Sequence, residues 1–136
     1  MKDIYIIYGK GPCGKSWFIQ NIVYDENIDK LVYYNLNEFD FLLKGKSELA
    51  DYKNVIVDEF NCHSNLECRK LFNVVSKYEA NFDNLFIIAH EYTDYIREEF
   101  CRPIARFISN KKDIGQRIHI LDFDSGQNFN IRNYGS

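Results

Sequence analysis

Gly9 to Ser16 reads G-K-G-P-C-G-K-S, which satisfies the pattern G-x-x-x-x-G-K-[ST] at each fixed position. The pattern restricts the fold because it works only as a loop between a buried strand and a helix. Successive backbone N–H groups wrap phosphates, Lys15 neutralises charge on the terminal ones, and the Ser16 hydroxyl reaches a bound Mg²⁺. The flanks suit that role. Asp3-Ile4-Tyr5-Ile6-Ile7-Tyr8 is a short apolar run of strand type, and Trp17-Phe18-Ile19-Gln20-Asn21-Ile22-Val23 has helix-compatible apolar spacing. A helix there directs the positive end of its dipole at the same anion. Gly9, Lys10, Gly11, Pro12, Cys13, Gly14, Lys15 and Ser16, with Trp17 beside them, are therefore the expected nucleotide-binding segment. A glycine-rich turn that matches by chance is the competing explanation, and both flanks argue against it.

A second motif lies downstream. Val55-Ile56-Val57-Asp58-Glu59 is an apolar run ending in two successive carboxylates. In a nucleotide site Asp58 would hold Mg²⁺ through water, opposite Ser16, and Glu59 would polarise an attacking water. The metal and Lys15 would keep both acids ionised despite their mutual repulsion. An acidic strand end that merely faces solvent is common, but an upstream phosphate loop reverses the balance. Open α/β sheets place ligands at the C-terminal ends of their strands, which is where both motifs fall.

Between and beyond these motifs, strand-like and helix-like segments alternate without an internal repeat, as in an α/β sheet with crossover helices. The predicted elements are a strand at Leu31-Val32-Tyr33-Tyr34, a short helix over Asn37 to Leu43, a helix from Ser64 to Tyr78 and a strand at Leu85 to Ala89. Runs apolar on both faces suit the covered centre of a parallel sheet. Arg117 to Arg132 instead alternates around Asp124-Ser125-Gly126-Gln127 and predicts a C-terminal edge β-hairpin. Ile104 to Ser109, opened by Pro103, fits either a fifth parallel strand or a short helix.

The 136 residues, 46% hydrophobic, suffice for one core and predict a single domain over 1–136. Nothing approaches a membrane span, and the N-terminus lacks a secretory pattern, so a soluble, intracellular chain in the cytoplasm is expected. Cys13, Cys62, Cys68 and Cys101 form no C-x-x-C pair, which favours reduced thiols over disulfides. Cys62-His63 with Cys68 could be drawn as part of a zinc site, but the spacing is irregular and a fourth ligand is lacking. The net charge of −3 gives no global field for a nucleic acid. Basic spots exist at Lys44 with Lys46, Arg69 with Lys70, and Lys111 with Lys112 and Arg117, each read first as solvated surface. The 11 Phe and 10 Tyr are not spaced as a stacking platform and are assigned to packing.

With both motifs in view, the chain resembles a P-loop NTPase of the ASCE division, Gly9 to Ser16 matching Walker A and Val55 to Glu59 matching Walker B. The resemblance implies a three-layer α/β core whose mainly parallel five-stranded sheet, numbered along the chain, has the order 5-1-4-3-2. It also implies that the strand Leu85 to Ala89 lies between the two motif strands and ends in a polar sensor, for which His90 is the candidate. Phe86 to His90, followed by Phe100 to Ile108, resembles viral packaging and phage assembly ATPases of the FtsK/HerA and Zot-like kind. Tyr52 to Phe60 resembles, less closely, the Walker B neighbourhood of superfamily 3 replication helicases of small DNA viruses. Such ATPases finish their site with a guanidinium from a neighbouring subunit, and Arg102 and Arg106 are better placed for that than Arg97.

The implied function is Mg²⁺-dependent ATP binding and hydrolysis by a homo-oligomer, driving translocation, packaging or unwinding of a nucleic acid, DNA ahead of RNA. Lys15, Glu59, His90, Arg102 and Arg106 would be catalytic, and Ser16 and Asp58 would hold the metal. The alternatives are a nucleoside or nucleotide kinase built on the same loop, and a nucleotide-gated binding module.

Overall fold

The computed structural model describes residues 3–10, 14–18, 30–33, 52–78, 82–110, 117–124 and 130–134. The helix expected over Asn37 to Leu43 and the turn Ser125 to Gln127 lie outside the described residues, as do the basic spots at Lys44, Lys46, Lys111 and Lys112.

Apolar runs form the sheet. Strands β1 (Asp3–Tyr8), β2 (Lys30–Tyr33), β3 (Tyr52–Val57), β4 (Phe82–Ala89), β5 (Arg117–Asp122) and β6 (Asn130–Tyr134) align in the order β2-β3-β4-β1-β5-β6. Strands β1 to β5 run parallel, and β6 returns antiparallel along β5. The first arm of the C-terminal hairpin is therefore not at an edge: Ile4 pairs with Ile118 and Ile6 with Ile120, so β5 is the parallel neighbour of β1. Its outward position falls to β6 alone.

Helices fill the crossovers that parallel strands require. Helix α1 (Lys15–Phe18) follows β1, and α2 (Asn65–Tyr78) joins β3 to β4. Ser64 starts α2: its hydroxyl accepts the Glu67 N–H at 3.1 Å, a cap worth about 1 kcal/mol. Buried Cys68, Leu71, Val74 and Val75 then recur at helical spacing and turn one face to the sheet.

Between β4 and β5 runs a helix of two kinds of turn. It comprises α3 (Asp94–Ile96), a π-helical stretch over Arg97–Cys101 and α4 (Arg102–Asn110). Thr93 caps its start, its hydroxyl accepting the Ile96 N–H at 3.3 Å. The wide turns sit directly before Pro103, whose ring would press on the carbonyl of the fourth residue back in a straight α-helix. The open segment Ile104 to Ser109 is thus helical, with buried Ile104 and Ile108 one turn apart on its inner face.

The sheet is covered on two faces. On one, Ile4, Ile6, Val55, Val57, Leu85 and Ile87 pack against α2 and the β4–β5 helix. Phe100, fully buried there, contributes on the order of 2–3 kcal/mol by leaving water. On the other face Ile7, Ile56, Phe86, Ile88, Leu121 and Phe123 form a second cluster, to which α1 adds Phe18. Tyr5 of β1 stacks between register partners Phe86 of β4 and His119 of β5, at ring separations of 4.8 and 4.7 Å. His119 Nε2 donates to Asp3 Oδ1 at 2.9 Å, tying β1 to β5 by side chains as well as backbone. Burial, with Asp3 nearby, raises the Tyr5 phenol above its ordinary range.

Candidate active site

All five parallel strands end at one edge of the sheet, so the residues just past Tyr8, Val57, Ala89 and Asp122 share that edge. The Gly9 N–H donates to the Ala89 carbonyl at 3.3 Å and anchors the loop beside the end of β4. Gly14 has φ +96°, a backbone that side chains with a Cβ rarely adopt, and its carbonyl accepts the Phe18 N–H at 2.9 Å to begin α1. Lys15, half-buried, folds back so that its ammonium donates to the Gly9 carbonyl and, at 3.2 Å, to the Ala89 carbonyl. A lysine is thereby stored at the junction of β1 and β4. Gly11, Pro12, Cys13 and the Ser16 side chain lie outside the described part. Trp17 is 62% exposed on α1.

Asp58 and Glu59 follow β3, which is separated from β1 by β4 alone. Two strand spacings put the acids about 10 Å from the loop strand, a gap that side chains and a hydrated cation can bridge. The Glu59 N–H donates to Asp58 Oδ1 at 2.8 Å, and the next residue, buried Phe60, donates its N–H to the Ile88 carbonyl at 2.9 Å. Glu59 has φ +51°, the one left-handed non-glycine backbone among the described residues. Its side chain is exposed and that of Asp58 half-buried.

His90 follows Ala89 at the same edge with an exposed side chain. The next residue makes the contacts instead: Glu91 lies 3.3 Å from Lys10 Nζ and 3.8 Å from His63 Nε2. With Lys10 71% exposed, this pair is worth well under about 1 kcal/mol, and it marks proximity more than strength. From the far side Asp124 Oδ1 accepts the Lys10 N–H at 2.7 Å. Neither Glu91 nor Asp124 was among the expected site residues, Asp124 being assigned to the hairpin turn. Both could have been found by asking, for each apolar run, which charged residues follow its C-terminal end.

Arg102 and Arg106 both lie on α4 of the β4–β5 helix. Counted from Asp94, they stand about 12 and 18 Å along that helix. Arg102 pairs with Glu98 at 2.8 Å, and Arg97 with Asp94 at 2.9 Å. Arg106 is exposed and has no ion-pair partner among the described residues.

Arg69 and Lys70 are also paired, with Glu99 at 3.0 Å and Glu67 at 3.7 Å, so that basic spot is neutralised locally. Cys62, Cys68 and Cys101 are buried free thiols, whereas His63 is exposed, and the three residues drawn as a zinc fragment do not converge. No helix among the described residues is long and apolar enough to cross a membrane. No protein-family model matches the chain, and no curated protein matches it either.

Proposed function

We propose that this chain binds and hydrolyses ATP with Mg²⁺ as a P-loop NTPase of the ASCE kind, and that hydrolysis drives movement of a nucleic acid, with DNA the preferred track. The observation that carries the proposal is the joint placement of Lys15 and the Asp58-Glu59 pair at one sheet edge, with β4 between their strands. An ammonium that donates to two carbonyls is ready to exchange them for phosphate oxygens, which are stronger acceptors.

The edge also carries Glu91, Asp122 and Asp124, against Lys10 and Lys15. A bare triphosphate would be repelled there, which favours a magnesium complex. The donors expected to hold the cation, the Asp58 carboxylate and the Ser16 hydroxyl, are hard oxygens of the kind Mg²⁺ prefers. When bound, the cation would neutralise charge on the phosphates. Lys15 would bind the terminal phosphate, and Glu59 would orient a water for in-line attack. A bond from the water oxygen to the terminal phosphorus forms as the bond to the bridging oxygen breaks, releasing ADP and inorganic phosphate. Arg106, exposed on α4, would serve a neighbouring copy in a homo-oligomer.

Calorimetric titration with Mg-ATP tests the site. Heat of binding is expected for the wild type and for Glu59→Gln, which should retain ATP uncleaved, and Lys15→Ala should weaken binding at least about tenfold. A folded wild-type sample that gives only heat of dilution would remove the proposal.

A further inference from the structure

Of three successive residues at the end of β5, two reach the phosphate loop and the third fixes their turn. Asp122 Oδ1 accepts the Asp124 N–H at 2.9 Å, fixing the turn. The Phe123 N–H donates to the Tyr8 carbonyl at 2.9 Å, and its ring, 3% exposed, meets the Phe18 ring edge-on at 5.6 Å. The same ring comes within 3.9 Å of the point where a Cβ on Gly14 would stand. Asp124 Oδ1 takes the Lys10 N–H at 2.7 Å. Residues at the entry of the loop, its last glycine and the helix beyond are thus all touched from one turn.

We infer that Asp124 is a positioning residue, whose carboxylate oxygen holds the entry of the loop through the Lys10 N–H and so pre-shapes it for phosphate. The role rests on the phosphate-site reading proposed above. A glycine-rich loop loses conformational freedom when it closes on an anion, and a turn already fixed reduces that loss. The Lys10 N–H is committed to Asp124. The charge on Asp124 acts in the opposite sense, since a carboxylate beside an anion site repels it. Geometry and charge therefore make opposite predictions for two substitutions. Asp124→Asn keeps an oxygen acceptor and loses the charge, whereas Asp124→Ala loses both.

The test is Mg-ATP titration of the full chain as wild type, Asp124→Asn and Asp124→Ala, with thermal melts of each. Asparagine should bind as tightly as wild type or more tightly, and alanine about tenfold more weakly, with little change in melting because the residue is exposed. Tighter binding by both variants would make Asp124 a repelling charge only. An alanine variant equal to wild type, or an asparagine variant weaker than it, would equally overturn the inference.

Amide exchange at Lys10, followed by NMR without nucleotide, separates this idea from its premise. Exchange should be slow in wild type and Asp124→Asn and faster in Asp124→Ala, and an unaltered rate in alanine overturns the positioning role. Absence of Mg-ATP binding by the wild type would remove the phosphate site instead.

Discussion

Glu59 holds a left-handed backbone at φ +51°, a conformation that costs a residue with a Cβ on the order of 1 kcal/mol. The turn is maintained because Asp58 accepts the Glu59 N–H and Phe60 is pinned to Ile88. Such strain at a proposed water-positioning acid suggests that stability is conceded for placement. Glu59→Gly should abolish ATP turnover while leaving stability unchanged or raised by up to about 1 kcal/mol, and Glu59→Ala should abolish turnover without that relief. Denaturant midpoints read the difference, and a glycine variant clearly less stable than alanine would show that the strain is not real. The strand-end position of Glu59 was visible in the sequence, since an apolar run followed by two acids has few other placements. Its left-handed backbone was not, because glutamate carries no preference that announces it. The grip of Asp124 on Lys10 joins positions far apart in the chain, and no local pattern encodes such a pairing.

The elements read from the sequence with uneven ease. Asp3 to Tyr8 and Leu85 to Ala89 could be assigned as strands because apolar residues on consecutive positions need cover on both faces. Ile104 to Ser109 could not, since Ile104, Phe107 and Ile108 satisfy a short strand and a helix alike, and only packing of the β4–β5 helix decides between them. The expected hairpin was legible as two alternating arms, but not that its first arm pairs with β1. Helix α2 and the π stretch together bury two thiols. Burial pushes Cys68 up to about 12, with smaller pushes from Cys62, Glu99 and Glu67. Burial likewise pushes Cys101 up to about 12, against a hydrogen bond with Tyr92 that acts the other way. The unfolded chain releases these protons above about pH 8.5, whereas the folded chain retains them. The stabilising preference is therefore complete below that pH and fades as pH climbs toward about 12. Urea midpoints should fall between about pH 8 and about pH 10.5, and replacing both cysteines by alanine should shrink the fall.

At the scale of the molecule, the proposed oligomer assigns Arg106, exposed on α4, to the site of a neighbouring copy. Turnover per chain should rise with protein concentration and rise again on adding DNA. Arg106→Ala should lower the assembled rate at least about a hundredfold while leaving Mg-ATP affinity unchanged. Turnover independent of concentration, or an unaffected Arg106→Ala variant, would leave the chain acting alone.

The β4–β5 helix also explains how its buried ladder Ile96, Phe100, Ile104 and Ile108 can recur every fourth residue. In an ordinary α-helix each such step overshoots a full turn by about 40°, so three steps would rotate Ile108 roughly 120° away from Ile96 and out into water. The underwound stretch at Arg97–Cys101 takes up that surplus rotation. Removing a single amino acid there would leave Ile108 eleven positions beyond Ile96, about three ordinary turns, so the coil could tighten while its buried side chains kept facing the sheet.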